Sequence, residues 1–280
     1  MNEYKYGEPL LTVDGVSLVL DGNMILREVN AQILDIQRTD SSQVTGQIVG
    51  FLGRSGMGKT QMSLIMAGLQ QPTTIEGKKG RVLLNANGTP VRAGLVGYVT
   101  QDYTLFEHRT VWGNLMVAGH QAGLSKEHAN DKALSLLNRF GLADRAKYYP
   151  IQLSGGQRQR VAVCQQLMCS EHFLIMDEPF SGLDGKNQAE MMKLIVEVAN
   201  ADELNTIILI THDVTAACTI SDKLWLMHRD RDQHGQEIPG ARIQQSYDLA
   251  EMGFAWRLDL AEDPSFRQFV YEVKQYLLKA

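Results

Sequence analysis

The segment Gly53-Arg54-Ser55-Gly56-Met57-Gly58-Lys59-Thr60, followed by Gln61, has the spacing G-x-x-x-x-G-K-[S/T] of a phosphate-binding loop. Glycines in such a loop let the backbone bend around an anion, so that several N–H groups converge on phosphate oxygens. The run Gln47 to Leu52 predicts a buried strand before the loop, and the apolar spacing from Lys59 to Leu69 predicts a helix after it. A nucleotide site requires that context, whereas an accidental glycine-rich turn does not. We therefore expect Lys59 to reach the β- and γ-phosphates and the Thr60 hydroxyl to ligate Mg²⁺.

Two carboxylates follow a second predicted strand. The apolar run Phe173 to Met176 leads directly into Asp177 and Glu178. Ligands of open α/β sheets bind at the carboxyl ends of the strands. Asp177 therefore suits the Mg²⁺ shell, because hard cations choose carboxylate oxygens, and Glu178 can polarise the water that attacks the γ-phosphate. An Asp-Glu pair at a strand exit is common by chance, but its position downstream of a phosphate loop favours a hydrolytic pair.

A second glycine cluster occurs at Leu153-Ser154-Gly155-Gly156-Gln157. Ser154 can cap a helix and Gln157 can complete a capping box, but this local role explains neither glycine. Bare backbone N–H groups at the positive end of a helix form a second anion site. One chain that binds one triphosphate has no need of two such sites. We therefore expect two chains, arranged head to tail, each to close the nucleotide pocket of the other.

These motifs, in this order, resemble those of the ATP-binding cassette (ABC) ATPases over about residues 11 to 245. The matching segments are 53–60 (Walker A), 153–157 (signature) and 173–178 (Walker B). The resemblance implies that Gln101 senses Mg²⁺ and the γ-phosphate and that His212 braces the attacking water. It also implies that Asp184, in the D-loop Ser181-Gly182-Leu183-Asp184, lies at the dimer seam. Ser154 and Gly156 would then act on ATP held by the partner chain.

The implied fold is α/β, with a P-loop NTPase (RecA-like) core, an N-terminal antiparallel β part and an inserted α-helical subdomain. The apolar runs Phe173 to Met176 and Thr206 to Ile210 indicate inner parallel strands. The spacing of Ala133, Leu134, Leu137 and Phe140 predicts the apolar stripe of a helix. Gly141 is predicted to end that helix. We expect a nucleotide-binding domain at 1–245, its helical subdomain at about 102–166, and a C-terminal extension at 246–280. The extension should form a helix after Pro264 that packs on the core through Phe266, Phe269, Val270, Val273 and Leu277.

The sequence departs from the family pattern in four places, one of which, Cys164-Gln165-Gln166 in place of a usual Ala-Arg-Ala run, has no expected effect. Leu20 occupies the place expected for the aromatic residue that stacks on adenine, so adenine would meet an aliphatic face unless Tyr4 or Tyr6 folds back over it. Gln61 replaces the small hydroxyl residue that is usual next to Thr60, and we expect this replacement to alter the contact with the α-phosphate. The polar stretch Asp35 to Gly46 is longer than usual and predicts a solvated hairpin or loop. None of these changes removes a hydrolytic residue.

The composition excludes several classes of partner. The formal net charge is -5 and no stretch is strongly basic, which argues against a nucleic acid partner. The three cysteines lack metal-ligand spacing and are expected to be buried thiols. No apolar stretch reaches the roughly 20 residues that a bilayer span needs. The chain should therefore act in solution or dock onto a membrane protein.

The leading hypothesis is an importer-like ABC transporter subunit that binds ATP and Mg²⁺ and hydrolyses ATP on the cytoplasmic face of the inner or plasma membrane. Its expected partners are a second copy, an integral membrane permease and, in an importer, a substrate-binding protein. Leu105 and Phe106 are candidates for the permease contact, and Gly240 to Trp256 weakly resembles the nitrate, sulfonate and taurine branch. A soluble ABC ATPase, such as an iron–sulfur cluster assembly ATPase, is the alternative. The cluster Leu153 to Gln157 argues against a kinase or GTPase.

Overall fold

The computed structural model describes residues 4–38, 46–170, 172–201, 205–255, 257 and 260–279. Its strands are β1 Tyr4–Leu20, β2 Asn23–Arg38, β3 Gln47–Gly53, β4 Thr74–Ile75, β5 Lys78–Lys79, β6 Arg81–Leu84, β7 Thr89–Pro90, β8 Gly97–Val99, β9 Phe173–Asp177, β10 Thr206–Thr211, β11 Lys223–Arg231 and β12 Glu237–Asp248. Its α-helices are α1 Lys59–Met66, α2 Val111–Gln121, α3 Lys126–Arg139, α4 Gly155–Cys169, α5 Gly185–Ala199, α6 Val214–Ile220 and α7 Pro264–Lys279.

The centre of the large sheet is parallel. Strands β11, β3, β10, β9 and β8 lie side by side in that order, and every neighbouring pair among them is parallel. In β10, Ile207 and Leu209 belong to the apolar cluster on the side of the helical insert, whereas Ile208 and Ile210 belong to the cluster on the opposite side. Because both faces of this strand are covered, its sequence is a continuous apolar run rather than an alternating one. The predicted RecA-like core is confirmed.

An antiparallel part extends the sheet at its other end. Strands β1 and β2 form a hairpin whose turn is Asp21-Gly22, and β6 and β7 continue the sheet beyond β1. The hairpin joins the parallel part through β12, where Ala241 pairs with Leu26. The predicted loop Asp35 to Gly46 begins later than expected, because β2 continues to Arg38. Residues 39–45 of that stretch lie outside the described part.

The helical insert, formed by α2, α3 and α4, lies between β8 and β9 in the chain. Ala133, Leu137 and Phe140 are buried in its core as predicted, and Gly141 ends the stripe with a φ of 65°. Leu134 is 47% exposed, so its predicted place in the stripe is wrong. It lies about 100° around the helix from Ala133, which turns it off the buried face.

Two of the predicted domain limits fall inside regular elements. Helix α4 continues to Cys169, beyond residue 166, and β12 continues to Asp248, beyond residue 245. The predicted helix Lys59 to Leu69 is shorter than expected, since α1 ends at Met66 and Leu69 is exposed. The division into a domain and an extension remains a prediction.

The C-terminal helix α7 closes over the sheet. Its five predicted apolar residues are all buried, in a cluster that also contains Leu52 of β3 and Leu224 of β11. The ring of Phe269 contacts Tyr247 and Phe254, with centroids 5.3 and 5.5 Å apart. The helix is therefore part of the folded core rather than an appendage.

We expect Phe269→Ala to lower the free energy of unfolding by about 3 kcal/mol, because it removes a buried ring and leaves a cavity. Tyr271→Ala, on the exposed side of the same helix, should change it by less than about 0.5 kcal/mol. Urea unfolding followed by circular dichroism measures both. Equal losses in the two variants would contradict a packing role for the buried face of α7.

Candidate nucleotide site

The phosphate loop is held in a conformation that requires glycine. Gly58 precedes α1 with a φ of 84°, and Gly56 has a φ of 81°. A Cβ atom at Gly58 would lie 2.9 Å from Ile25 Cγ2 and 3.0 Å from Leu26 Cδ2. The β1–β2 hairpin thus presses against the loop, and a side chain at Gly58 would force the two apart.

Lys59 is buried within this loop. Its Nζ donates to the carbonyl oxygens of Gly53 at 2.7 Å and of Arg54 at 3.1 Å. Burial lowers the pKa of Lys59, and the nearby carboxylates of Glu178 and Asp177 oppose that shift. A bound phosphate would give this desolvated ammonium group a charged acceptor in place of neutral carbonyls, which is a stronger hydrogen bond.

A cavity of about 620 Å³ lies beside the loop. Its lining residues are Leu20, Ile25, Ser55, Gly56, Gly58, Lys59, Thr60, Gln61, Asp177, Glu178 and His212. Six of the nine loop residues that were predicted to bind nucleotide therefore line this cavity. Asp177, Glu178 and His212 line it as well. Gly53 and Arg54 line the adjoining cavity, and Met57 packs into the core.

Glu178 and His212 form a pair at the edge of this cavity. Glu178 Oε2 lies 2.8 Å from His212 Nδ1, although the two residues follow different strands. The Glu178 N–H donates to the carbonyl of Ile210 at 2.8 Å, and the residue has a φ of 52°. A left-handed conformation at a non-glycine residue costs about 1–3 kcal/mol and is concentrated at functional sites. The backbone thus turns the Glu178 carboxylate towards the histidine instead of continuing the strand.

Asp177 offers one oxygen for a cation. Its Oδ2 accepts the Tyr98 hydroxyl at 3.0 Å. Its Oδ1 is buried and has no hydrogen-bond partner in the described part of the chain. Burial raises the pKa of the Tyr98 hydroxyl, so that hydroxyl remains a donor at neutral pH. An unpaired buried carboxylate oxygen, in a cavity shared with the Thr60 hydroxyl, fits a hard divalent cation.

Gln101 lies outside this cavity. Its Nε2 donates to the Ser181 hydroxyl at 3.0 Å, and its side chain is exposed. The structure therefore brings Gln101 to the predicted D-loop rather than to Thr60 and Asp177. Its roles in catalysis and metal binding remain predictions.

The second glycine cluster forms the predicted helix start. Ser154 Oγ accepts the Gln157 N–H, and Gln157 Oε1 accepts the Ser154 N–H, which completes the capping box at α4. Gly155 and Gly156 are exposed, and a Cβ atom at either would meet nothing within 4 Å. Neither has a positive φ. The fold of this chain therefore gives no steric reason for glycine at these positions.

Asp184 also caps a helix, a role that the sequence analysis missed. Its Oδ1 accepts the Asn187 N–H at 2.9 Å at the start of α5. One turn later, Gln188 Nε2 donates to Asp213 Oδ2 at 2.6 Å, next to His212. An Asp directly before a helix start is a recognisable capping signal, but nothing in the local sequence indicates the Gln188–Asp213 contact.

The side of the cavity where the sequence analysis expects adenine is aliphatic, with Leu20 and Ile25. The suggestion that Tyr4 or Tyr6 folds back over the base is wrong. Tyr6 donates a hydrogen bond to Asp248, and Tyr4 packs edge-on against it. Tyr6 precedes Leu20 by 14 residues in the same strand, a separation of up to about 46 Å at about 3.3 Å per residue.

Comparison with known proteins settles the family. A family model described as ABC transporter matches residues 37–181. An aliphatic sulfonates import ATP-binding protein of Rhodococcus jostii (strain RHA1) is 36% identical over 219 residues, which cover 78% of this chain and 82% of that protein. This chain belongs to the ABC transporter family.

Further relatives agree with this assignment. A methionine import ATP-binding protein of Ligilactobacillus salivarius (strain UCC118) is 32% identical over 247 residues, which cover 85% of this chain and 66% of that protein. The solved structure of cbiO1 from Clostridium perfringens, part of the ABC transporter complex cbiONQ, has the same fold with a TM-score of 0.69. It is 23% identical and the match covers 95% of this chain and 99% of that one. The chain is thus an ABC transporter ATPase that binds and hydrolyses ATP, and the importer-like resemblance is confirmed.

We expect Glu178→Gln in this ABC ATPase to keep nucleotide binding and to lower the rate of ATP hydrolysis at least about 100-fold, because the amide cannot take the proton of the attacking water. Phosphate release and binding of a fluorescent nucleotide measure the two properties separately. Glu190→Gln, at an exposed position of α5, is the matched control and should hydrolyse ATP normally. Near-normal turnover in Glu178→Gln would remove Glu178 from the catalytic role.

Proposed function

We propose that two copies of this chain form a head-to-tail dimer in which each signature turn closes the ATP site of the other copy. The main support for this proposal is that Gly155 and Gly156 are exposed and that the fold of the chain leaves space for a side chain at both positions. Glycine in an ordinary helical position costs about 0.5–1 kcal/mol relative to alanine. The glycines would offset that cost by letting the nucleotide of the partner chain approach the backbone closely.

The first turn of α4 suits a phosphate. The Gln157 N–H is used by the Ser154 cap. The N–H groups of Gly155 and Gly156 precede it in the turn, where a helix provides no intrahelical acceptor. These donors, together with the positive end of the helix dipole, favour an anion brought by another molecule.

Hydrolysis is assigned to the residues of the cavity. Lys59 binds the β- and γ-phosphates in place of its present carbonyl acceptors. Thr60 and Asp177 would hold Mg²⁺, which neutralises phosphate charge when bound, and Gln101 would approach it once nucleotide is present. Glu178 takes the proton of the attacking water, and His212, hydrogen-bonded to Glu178, keeps that carboxylate oriented.

We expect Gly156→Ala to separate folding from function. The variant should be as stable as the wild type or more stable by up to about 1 kcal/mol, because alanine favours the helix and its Cβ meets open space. It should nevertheless fail to dimerise with ATP. Light scattering in the Glu178→Gln background measures this, since the dimer has twice the 31.2 kDa of one chain.

The matched control is Gly123→Ala, at an exposed turn after α2 where a Cβ also meets nothing within 4 Å. It should keep ATP-dependent dimerisation and will be less stable, since its φ of 77° disfavours alanine. ATP-dependent dimerisation of Gly156→Ala equal to that of the parent would contradict the composite site.

A second surface is proposed to bind a membrane permease. Phe106 is 38% exposed, whereas Leu105 is buried, so Phe106 alone of the two candidates is available for contact. The buried Asn114 fixes the backbone on both sides of this ring, since its Oδ1 accepts the Phe106 N–H at 2.7 Å and its Nδ2 donates to the Phe106 carbonyl at 3.2 Å. A residue whose backbone is held in this way loses little backbone freedom on binding.

The permease hypothesis also gives the location. No helix in the described part of the chain is both long and apolar enough to cross a bilayer. Relatives named for the import of sulfonates, methionine and sulfate are similarly related to this chain, at 36%, 32% and 36% identity. We infer a peripheral subunit on the cytoplasmic face of the membrane, which serves a permease and its substrate-binding protein. Those partners, rather than this ATPase, would select the substrate.

We expect Phe106→Asp to reduce co-purification of a polytopic protein from detergent-solubilised membranes about tenfold or more, because a charge replaces an interface anchor. Leu134→Asp, at an exposed leucine on α3, is the matched control and should co-purify normally. Both variants should hydrolyse ATP alone as the wild type does. A soluble scaffold partner, without a membrane protein, would support the alternative of a soluble assembly ATPase.

A further inference from the structure

A series of hydrogen bonds through two hydroxyl groups lies next to the proposed metal site. The Tyr98 hydroxyl lies 3.0 Å from Asp177 Oδ2 and 2.9 Å from Ser63 Oγ, and Ser63 Oγ lies 2.7 Å from the Thr60 carbonyl oxygen. This series of hydrogen bonds therefore begins on α1, passes through β8 and ends on β9. Its two ends are the residues whose side chains are proposed to hold Mg²⁺.

Strand pairing brings Tyr98 to this position. Tyr98 pairs with Ile175 in the parallel ladder of β8 and β9. Asp177 is two residues beyond Ile175, so its side chain points to the same face of the sheet. A diagonal neighbour two residues along is within reach of an aromatic side chain.

The direction of the hydrogen bonds follows from the available protons. A carboxylate, such as that of Asp177, and the Thr60 carbonyl can only accept. The Tyr98 proton therefore goes to Asp177, and the Ser63 proton is shared between the Thr60 carbonyl and the Tyr98 oxygen. Tyr98 is a fixed donor to one oxygen of Asp177. Ser63 donates to the Tyr98 oxygen and so helps to fix the position of that hydroxyl.

The two oxygens of Asp177 are thereby made unequal. Oδ2 is occupied by Tyr98, whereas Oδ1 is buried and has no hydrogen-bond partner in the described residues. Without the hydroxyl, the carboxylate would be free to rotate and to present either oxygen. With it, one oxygen is held ready for a cation before the cation arrives.

We propose that Tyr98 is a positioning residue that orients the Asp177 carboxylate towards the Mg²⁺ bound with ATP. This inference rests on the proposed role of Asp177 in metal binding. The donor contacts Asp177 and is not among the residues that line the cavity, so it acts through Asp177. Its loss should therefore weaken the response to Mg²⁺ and leave the metal-free affinity for nucleotide unchanged.

The test is Tyr98→Phe, made in the full chain that also carries Glu178→Gln so that hydrolysis does not interfere. Binding of a fluorescent ATP analogue is titrated with Mg²⁺, and separately measured in excess chelator. The Mg²⁺ concentration at half-maximal effect should rise about tenfold, the lower end of the range found when hydrogen-bond partners of metal ligands are removed. Affinity in chelator should stay within about twofold, because Tyr98 is not among the residues that line the cavity.

Tyr276→Phe is the matched control. Its hydroxyl also lies on a partly buried ring and donates to a side chain, Gln244, at 3.0 Å, but remote from the site. It should leave both titrations unchanged. A Mg²⁺ midpoint for Tyr98→Phe equal to that of Tyr276→Phe would overturn the inference. So would an equal loss of affinity with and without Mg²⁺, since that pattern indicates a general packing defect.

Asp177→Asn separates this inference from the proposed site. Its Mg²⁺ midpoint should rise at least as far as that of Tyr98→Phe. If Asp177→Asn responds to Mg²⁺ as the parent does, the metal role of Asp177 fails and the inference about Tyr98 fails with it. If Asp177→Asn is shifted and Tyr98→Phe is not, only the inference about Tyr98 is overturned.

Discussion

The parallel register of β3, β10 and β9 is the constraint on which the rest of the site depends. Leu52 of β3 pairs with Thr211 of β10, and Asp177 of β9 pairs with Ile210. Gly53, the last residue of β3, therefore lies at the same end of the parallel strands as Glu178 and His212, the first residues after β9 and β10. A slip of one residue would turn every side chain of a strand to the other face, so the buried apolar runs on both faces indirectly fix the catalytic geometry.

Much of this arrangement could be predicted because it is local. The phosphate loop, the capping box of Ser154 and Gln157, and the buried face of α7 each follow from residues a few positions apart. The errors were also local in origin. Leu134 and Leu69 fit a helical period, but a period does not say how wide the buried face is or where the helix ends. Apolar spacing alone therefore overestimated the buried set.

The contacts that the sequence analysis missed join distant residues. Tyr98 and Asp177 are 79 positions apart, and Glu178 and His212 are 34 apart. Tyr98 carries no local signal, because a tyrosine in a short strand usually packs in the core. Its proximity to Asp177 follows only from the pairing of β8 with β9, which the order of the motifs does not specify. The family resemblance supplied candidates for the reacting residues but not the side chains that contact them.

Contacts between distant residues also connect the proposed dimer seam to the Glu178–His212 pair. Asp184 caps α5, and the helix that it starts brings Gln188 to Asp213, which in turn caps α6 through the Ala216 N–H at 2.9 Å. His212, adjacent to Asp213, is hydrogen-bonded to Glu178. Each link is a hydrogen bond between side chains or between a side chain and a helix end, and none spans a flexible loop. The predicted D-loop and the His212 segment are therefore joined through the Gln188–Asp213 contact, which links α5 to the start of α6.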